Sequence, residues 1–573
     1  MKKSVRISSA LIITVIFALI TFYFTLPALN LQSETFWMFL LYCAVCFAVA
    51  YFLVDFLYRK KKDKTVKLDF KLKKSKATVI LICVIVVPIA VLAIGSFASA
   101  TFFHATAYSS LIEVPEEDFA EDMPESELVN NIALMDTDTA IIMGQRALTG
   151  VDNISQYTIS DNYRQINYND APKKISTLEY GDIFKWFSNR ASGIPGYVMV
   201  DPVNGTEASY VKIEKPIKYT DSAYFGEDLM RKLRFLYPTK IFGNCSFEID
   251  NEGTPYYVVA CMKPRVAMFG AYDVNEVIIF NPVDGSSNIY PLGDSVPSWV
   301  DNVFTGTLAS EKYDWYGTLK NGYWNSVVGN RDCKVTTDDY GYIVIGDDVW
   351  FFTGVTSVAS DESNIGFIIS NARTGEYKFY PVTGAEEYSA MSSAEGAVQE
   401  KGYKASFPSL INVSGQATYI MVLKDNAGLV KLYALVNVDK YAIVATGNTQ
   451  AEAKEEYLKR LKTEGIIDEI PEKEETPDSN IVSVDIEISD INVYTVAGES
   501  IFYITAADSS VYKQKLCDEE SLIVLKKGDK INVQYNKETE FTAENGKTII
   551  REISSFSFVP EIQAEAETPA ENS

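Results

Sequence analysis

The stretch GFIISNARTGEYKFYPVTG, residues 366–384, carries the pattern that decides the fold of most of this chain. Apolar and aromatic residues precede and follow NARTG (371–375), which is typical of two β-strands joined by a tight turn. The leading Asn side chain can accept a hydrogen bond from the backbone N–H two residues on, and Gly supplies a positive φ. The stretch therefore predicts an antiparallel hairpin.

The same turn occurs twice earlier, as DPVNG (201–205) and NPVDG (281–285). The three glycines are 80 and 90 residues apart, a period typical of small repeated domains. The segments before the turns also correspond, since residues 222–242 and 386–411 both predict a helix that runs into a strand. We therefore predict α+β units built on antiparallel sheets, at 134–213, 214–292, 293–381 (a divergent copy) and 382–462 (with a closing helix).

This unit resembles the PepSY domain, a helix followed by strands that ends in a hairpin with the D/N-x-x-T/N/D-G signature. The resemblance covers roughly residues 196–447 in pieces and is best at 221–292, whereas the last copy has Val438–Asp439–Lys440 where the Gly turn is expected. It implies an extracytoplasmic, non-enzymatic module that binds envelope partners or restrains peptidases. The chain as a whole resembles large membrane-anchored proteins of Gram-positive bacteria.

The C-terminal part has a different composition. Residues 463–480 are acidic and contain Pro, which indicates a linker. Residues 481–559 predict five strands that resemble an OB-like small β-barrel, a fold that hosts many functions. Residues 560–573 are polar and acidic and predict a disordered tail.

Residues 1–101 contain three apolar runs, each long enough to cross a membrane as a helix, and predict a three-helix transmembrane anchor. The connection at 59–76 has ten basic residues, so the positive-inside bias places it and the N-terminus in the cytoplasm, with anionic lipid headgroups as its partner. A cleaved signal peptide is the alternative for the first run, which is longer than a usual signal core. Everything after about residue 102 is then extracytoplasmic, beginning with an acidic, solvated stalk at 102–133.

Charge and residue types limit the chemistry of the exported part. The whole chain has a net charge of −24, and residues 1–101 carry +9. The remaining residues therefore carry −33, which disfavours nucleic acid as a partner. The single histidine, His104, leaves no general base for a Ser–His or Cys–His site, and no cofactor or metal site is predicted. Acidic pairs at 338–339 and 347–348 are interpreted as turn residues rather than a glycosidase pair.

Two groups of residues remain as candidate sites. Cys245 and Cys261 flank a predicted hairpin, and their spacing allows a disulfide or two free thiols. An aromatic cluster could form a stacking surface for a sugar or peptide, and packing between two repeats is the favoured interpretation. The cluster consists of Trp315, Tyr316, Tyr323 and Trp324.

These features predict a non-enzymatic binding or scaffold protein of the bacterial cell envelope, whose partner is an envelope protein or peptide, such as a protease or a wall-assembly protein. Two alternatives stay open: a carboxylate-dependent envelope hydrolase, and an accessory subunit of a membrane transport complex.

Overall fold

A computed structural model describes residues 3–62, 76–125, 132–148, 154–169, 171–203, 208–293, 295–358, 360–471, 481–496, 499–508, 510–515, 520–536, 541–542 and 549–558. The chain is α+β, with apolar helices first and antiparallel sheets after them. It forms two compact units, Met1–Ile470 and Pro471–Ser573. The division falls inside the predicted linker at 463–480.

Apolar helices make up the N-terminal part of the first unit: α1 (Lys3–Thr25), α2 (Glu34–Lys62), α3 (Lys76–Ala98) and α4 (Thr101–Ser109). Two of them, α1 and α2, are long and apolar enough to cross a membrane. The third predicted span forms a helix, but it qualifies only if α3 and α4, which are bent by 54° from one another, are counted together. Span length is thus confirmed for two helices.

The described part of the predicted stalk is not a solvated segment. Residues 115–117 pair with the strand that contains Phe379, whose N–H donates to the Pro115 carbonyl oxygen at 2.9 Å. The short helix α5 (Phe119–Asp122) buries Phe119, and Met123 is buried beside it. The expectation of a solvated stalk is wrong here because several of its apolar residues, Phe119 and Met123 among them, belong to a core.

Four antiparallel sheets follow. Helices α6 (Thr137–Ala147) and α7 (Ile183–Asn189) accompany the first sheet, and α8 (Leu229–Leu236) precedes the second. The first sheet has the order β1-β3-β4-β5 with β2 paired to β3, and the second has the order β6-β7-β8-β9. Their strands are β1 (Tyr157–Ile159), β2 (Arg164–Tyr168), β3 (Ala171–Tyr180), β4 (Ile194–Val200), β5 (Ala208–Ile217), β6 (Ile241–Ile249), β7 (Pro255–Val266), β8 (Gly270–Phe280) and β9 (Ser287–Pro291).

Helices α9 (Gly306–Leu319) and α10 (Glu387–Ala397) precede the third and fourth sheets, and α11 (Gln450–Thr463) closes the series. The main strand orders are β10-β12-β13-β14 and β16-β18-β19-β20. The strands are β10 (Lys334–Thr336), β11 (Gly341–Ile345), β12 (Asp348–Ser357), β13 (Ser360–Asn371), β14 (Tyr377–Tyr380), β15 (Gly384–Ala385), β16 (Lys404–Ala405), β17 (Ser409–Val413), β18 (Gln416–Lys424), β19 (Val430–Asn437) and β20 (Val444–Gly447).

The repeated turn has the predicted geometry. Asp201, Asn281 and Asn371 each accept, through the side chain, from the backbone N–H two residues on, at 2.8–2.9 Å. Gly285 and Gly375 have φ of +79° and +76°. Gly205 lies outside the described residues.

Each turn also holds the segment that leads into the helix of its own sheet. The carbonyl oxygen of the second turn residue accepts from two successive backbone N–H groups, at 2.9 Å for Pro282 and at 2.7 and 3.0 Å for Ala372. Pro202 does the same, and Val438, which lacks the glycine, accepts from Ala385 at 2.9 Å. The turn therefore joins the end of each sheet to the segment before its helix, and the last unit keeps this contact without the glycine.

The sheets share their cores in pairs. One core joins the first and second sheets and α8, with Tyr197, Phe247 and Leu233 among its members. A second joins the third and fourth sheets, where Phe367 meets Tyr419 edge-to-face at 5.8 Å. The outer face of the fourth sheet is covered by α11. Since both faces are covered, these strands are near-continuous apolar runs rather than alternating ones.

The C-terminal unit is all β, with strands β21 (Ile481–Val496), β22 (Glu499–Ala506), β23 (Val511–Lys515), β24 (Lys530–Asn536), β25 (Phe541–Thr542) and β26 (Ile549–Phe558). The strands follow the order β23-β22-β21-β24-β26, in which the long strand β21 pairs with both β22 and β24. An additional parallel pairing between β23 and β26 connects the first and last strands of this order. The unit has its own core around Ile504 and Val533. The predicted tail, residues 560–573, lies outside the described residues.

Candidate functional site

The four aromatic residues singled out in the sequence do not form one platform. Trp315 and Tyr316 lie half-buried on α9, and Trp315 meets Tyr108 of α4 edge-to-face at 5.0 Å. Tyr323 and Trp324 come after α9 and both pack against Phe102, with ring centroids 5.1 and 5.8 Å away. Trp315 also packs against the core formed by the ends of β7 and β8 of the second sheet. Packing between two repeats, the favoured interpretation, is thus confirmed for Trp315, and α4, at the end of the apolar helices, is a further partner of the cluster.

A second contact joins α8, which precedes the second sheet, to the end of α1. The guanidinium of Arg234 donates from Nε to the Leu26 carbonyl oxygen at 2.9 Å, and Arg231 donates from Nε to the Tyr23 carbonyl oxygen at 3.2 Å. Tyr23 belongs to the last turn of α1, whose carbonyls lack partners inside the helix and carry its negative partial charge, and Leu26 directly follows the helix. Two arginines therefore cap α1 from outside.

The connection between α1 and α2 is bound by the same sheet. The Leu29 N–H donates to the Pro238 carbonyl oxygen at 2.7 Å, and the Tyr272 hydroxyl donates to the Gln32 carbonyl oxygen at 2.7 Å. Burial at this contact raises the pKa of Tyr272 to about 12, with the nearby Glu34 carboxylate as a lesser cause. The hydroxyl therefore stays protonated, and remains a donor, at neutral pH.

Burial also lowers the pKa of Arg234 to about 10, which still leaves its guanidinium charged at neutral pH. The same side chain donates from Nη1 to the Lys240 carbonyl oxygen at 2.6 Å and stacks over the Phe242 ring at 4.2 Å. A buried charge is tolerated when it is fully hydrogen-bonded. Arg234 thus links the end of α1, the end of α8 and the start of β6.

The bend between α3 and α4 makes a third contact with the second sheet. The Ser99 hydroxyl accepts from the N–H groups of Met268 and Phe269, at 3.3 and 3.0 Å, and donates to the Gly95 carbonyl oxygen at 2.7 Å. The Phe269 ring lies against Gly95 so closely that a Cβ there would come within 2.4 Å of it. The β7–β8 hairpin tip is therefore fixed to the end of α3.

These residues were missed by the sequence reasoning, although a signal was present. Arg231 and Arg234 lie three positions apart on α8 and so share a face, next to the apolar Phe235. Two basic residues at that spacing, beside an exposed aromatic residue, are typical of a helix face that contacts another part of the chain. Serine and tyrosine contacts such as those of Ser99 and Tyr272 have no comparable pattern, because they depend on which hairpin tip meets which helix.

The two candidate cysteines are both free thiols in the structure. The uninterrupted register that runs back from the turn, Ile249 opposite Pro255, places Cys245 opposite Val259, and beyond a bulge in β6 Cys261 lies opposite Phe242. The hairpin was predicted correctly, but its register keeps the two cysteines out of the facing positions that a disulfide needs. Burial raises the pKa of both thiols, that of Cys261 to about 12.

A buried carboxylate pair bears on the hydrolase alternative. The Glu248 carboxylate is fully buried and accepts from the backbone N–H of Asp301 at 2.7 Å and of Asn302 at 3.1 Å. Asp301, only 1% exposed, accepts from the Asn167 N–H at 2.7 Å. Burial raises the pKa of both carboxyl groups, and for Asp301 the neighbouring Glu248 adds to the rise. The pair joins β2, β6 and the segment before α9 in a place closed to solvent.

Of the acidic residues considered from the sequence, Asp347 lies in the turn between β11 and β12, as interpreted, whereas Asp348 is the first residue of β12 and the pair at 338–339 lies in the segment between β10 and β11. Asp348 pairs with Arg373 and accepts from the Asn371 side-chain amide at 2.7 Å, which ties it to the repeated turn. Asp347 accepts from the Asn167 side-chain amide at 3.0 Å. Within the described ranges no group of three His, Cys, Asp or Glu side chains is placed to hold a metal ion. Cys517 lies outside those ranges.

The geometry therefore points to the ends of the apolar helices, rather than to a cleft between sheets, as the place where the chain makes its specialised contacts. In comparisons with known proteins, no protein-family model matches the chain, and no curated protein matches its sequence.

Proposed function

We propose that this protein is a membrane-anchored, non-enzymatic scaffold of the bacterial cell envelope, which holds a set of binding units at the outer face of the membrane. One observation carries the proposal. The second sheet contacts the end of α1, the α1–α2 connection and the end of α3 through Arg234, Tyr272 and Ser99. A rigid joint of this kind suits a protein that presents its other surfaces at a fixed position above a bilayer.

The same contacts support three spans with a cytoplasmic N-terminus. The C-terminal end of α1 and the C-terminal end of α3 both contact the second sheet, so both lie on the side of the sheets. Helices α1 and α3 then run in the same direction and α2 runs back between them. The basic segment 59–76 falls on the opposite side, where the positive-inside bias and anionic headgroups favour it.

The topology has a direct test. Protease added to intact cells is expected to remove the residues beyond about 110, and a reporter placed after Lys62 is expected to be active only in the cytoplasm. The C-terminus, tagged on the same chain, serves as the external control. A reporter after Lys62 that is active outside the cell would refute the arrangement.

The units themselves support the binding role. A helix and antiparallel strands recur in each of the four sheets, and each has a closing turn that begins with Asp or Asn, although the fourth lacks the glycine that the PepSY resemblance implies. The C-terminal unit pairs a long first strand with two others and its third strand in parallel with the last, which favours an OB-like assignment. Strands β5 and β9 lie at sheet edges, where an extended peptide could add as another strand.

The partner is expected to be a soluble or wall-bound envelope protein, such as a protease or a wall-assembly protein. Cross-linking in intact cells followed by purification in mild detergent is the test, with the full chain compared with a chain that ends at Ile470. A partner kept by the shorter chain binds the first compact unit, and one lost with residues 471–573 binds the second. Recovery of no reproducible partner would contradict the proposal.

A transport-complex subunit is the second candidate, because large apolar side chains are exposed along α1 and α3, for example Leu19 and Ile94. Such faces meet either lipid or the helices of another membrane protein. The same purification separates the two functions, since a stoichiometric integral-membrane partner favours the transport subunit. The hydrolase alternative has less support, because Glu248 and Asp301 are closed to solvent.

A further inference from the structure

Two exposed apolar surfaces flank the ends of the apolar helices. The α7 surface consists of Ile183, Phe184 and Phe187, together with Phe225. Phe184 and Phe187 are 79% and 64% exposed, although each is among the most apolar of side chains. Exposed aromatic residues grouped in this way mark an interaction site rather than an ordinary surface.

The second surface, which we call the Trp324 surface, follows α9. It consists of Trp324, Val327 and Val328, which are 68%, 55% and 76% exposed, together with Phe102 and Phe103 of α4. The segment 325–329 forms a π-helical turn that ends at Asn330, whose φ is +46°. The Asn325 amide fixes the turn by donating to the Arg331 carbonyl oxygen at 2.9 Å, so the two valines are held outward by a defined structure.

Both surfaces are continuous with the helix ends. Trp324 contacts Phe102, which belongs to the first turn of α4 directly after α3. On the other side, Trp186 of α7 meets Phe225 at 5.7 Å, and the Phe225 carbonyl oxygen accepts from Arg231 Nη1 at 2.7 Å. Arg231 in turn contacts Tyr23 in the last turn of α1, with its guanidinium 4.3 Å from the Tyr23 ring centroid.

The height of the helix ends follows from their length. Helix α1 has 23 residues, which at 1.5 Å per residue span about 34 Å, close to the ~30 Å hydrocarbon thickness of a bilayer. Tyr23 therefore lies at the boundary between acyl chains and headgroups. The α7 surface and the Trp324 surface, joined to the helix ends by direct contacts, lie at the same boundary.

The chemistry of the two surfaces fits that boundary. Trp is enriched at membrane interfaces, and Phe is common on the apolar faces of helices that lie there, where the ring meets the acyl chains. Basic side chains lie beside them: the Arg190 guanidinium stacks 5.0 Å from the Phe187 ring centroid, and Lys320 lies 5.1 Å from the Tyr316 ring centroid. Long basic side chains reach headgroup phosphates from such positions.

We propose that the α7 surface and the Trp324 surface insert into the outer-leaflet interface of the same bilayer that α1 and α2 cross. The occupant is lipid, at the level where acyl chains meet headgroups. The inference rests on the proposed membrane anchoring. It adds that the exported part is seated on the membrane at two points besides the helices, which fixes its tilt as well as its position.

The test uses tryptophan fluorescence of the full chain in single-protein nanodiscs, with lipids brominated near the glycerol end of the acyl chains. The emission of one tryptophan is obtained as the difference between the wild type and its Phe variant. We expect the brominated lipid to quench the emission of Trp324, obtained with Trp324→Phe, to the same fraction as the emission of Trp37 at the start of α2, obtained with Trp37→Phe. Trp299→Phe, which removes a ring stacked on Tyr256 at 5.0 Å in the second sheet, is the unquenched control.

The α7 surface is probed by adding tryptophan in the same nanodiscs. Phe184→Trp and Phe187→Trp are expected to be quenched. The matched control is Tyr441→Trp, which is 53% exposed in the turn of the fourth sheet.

The outcomes separate the two proposals. If Trp37 is quenched but Trp324 and the α7 probes are not, the anchor holds and the interfacial seating is wrong. If Trp37 is also unquenched, the membrane anchoring itself fails. If the emission of Trp324 changes only in discs that hold two copies of the protein, the surface binds a second chain and the lipid assignment is overturned.

Discussion

Glu387 shows how burial alone turns a single residue into a pH-dependent one. It lies at the start of α10, is 1% exposed, and its Oε1 accepts from the Gly354 N–H at 2.7 Å. Burial raises its pKa from the usual 4.5 to about 7. The folded protein therefore keeps this proton over a pH range in which the unfolded chain has released it.

The free energy of unfolding is expected to depend on pH through this group. Its contribution is complete below about pH 4.5 and is lost as the pH rises through about 7, by as much as about 3 kcal/mol. Glu387→Gln should keep the hydrogen bond from the Gly354 N–H and remove this pH dependence. The free energy of unfolding of the variant should therefore rise relative to that of the wild type as the pH rises. Denaturant unfolding from pH 4.5 to 8.5 measures the difference. Parallel curves for the two proteins would show that the carboxyl group is not buried, and Glu376→Gln, at an exposed position, is the control.

The thiols of Cys245 and Cys261 give a second prediction for individual residues. Because burial raises the pKa of both, neither forms the reactive thiolate readily at neutral pH. We expect iodoacetamide to leave both unmodified in the native protein and to modify both after unfolding without a reductant, as measured by peptide mass spectrometry. Modification only after reduction would mean that the disulfide left open by the spacing does form.

At the scale of elements, the repeated turn is the feature that organises the chain. The turn carbonyl binds the segment before each helix, and the turn glycine lies under the aromatic residue of that segment, Phe304 in the third sheet and Tyr219 in the second. The Asx residue fixes the turn, the glycine makes room for the ring, and the ring packs over the contact between the turn and the segment before the helix. A short motif thus connects the two ends of a unit.

Gly375→Ala tests this arrangement. Its φ of +76° is unfavourable for alanine, and a Cβ would come within 2.8 Å of the Phe304 ring. We expect a loss of about 2 kcal/mol in the free energy of unfolding, measured by denaturant titration. Gly396→Ala is the matched control, since it lies inside α10 with open space around the added methyl, and should gain about 0.5–1 kcal/mol. Equal effects at both glycines would contradict the role of the turn.

At the scale of the whole molecule, cores shared between sheets make the repeats interdependent. Tyr197 of the first sheet is 1% exposed, meets Phe247 of the second sheet at 5.8 Å, and donates to the Gly253 carbonyl oxygen at 3.1 Å. The second sheet is also fixed to the ends of the apolar helices. A change in the stability of the second sheet is therefore expected to affect both the apolar helices and the first sheet.

Tyr197→Ala should reveal this coupling. The cavity is expected to cost about 3–5 kcal/mol, and hydrogen exchange should increase in β6–β8 as well as in β3–β5. Mass spectrometry of exchanged peptides measures both regions, with the exposed Tyr388→Ala as a control that should leave them unchanged. Faster exchange confined to β3–β5 would mean that the two sheets are stable independently.

The sequence by itself determined the apolar helices, the antiparallel hairpins and the repeated turn, because periodicity, span length and Asx–Gly chemistry are local properties of a few neighbouring residues. It also identified the aromatic cluster that contains Trp315 and Trp324. Which surfaces meet was decided only by the tertiary structure. The burial of Glu248 with Asp301, the Arg234 cap on α1 and the seating of Trp324 beside Phe102 each join residues more than fifty positions apart. Such contacts depend on the packing of whole sheets and helices, to which no short pattern in the chain corresponds.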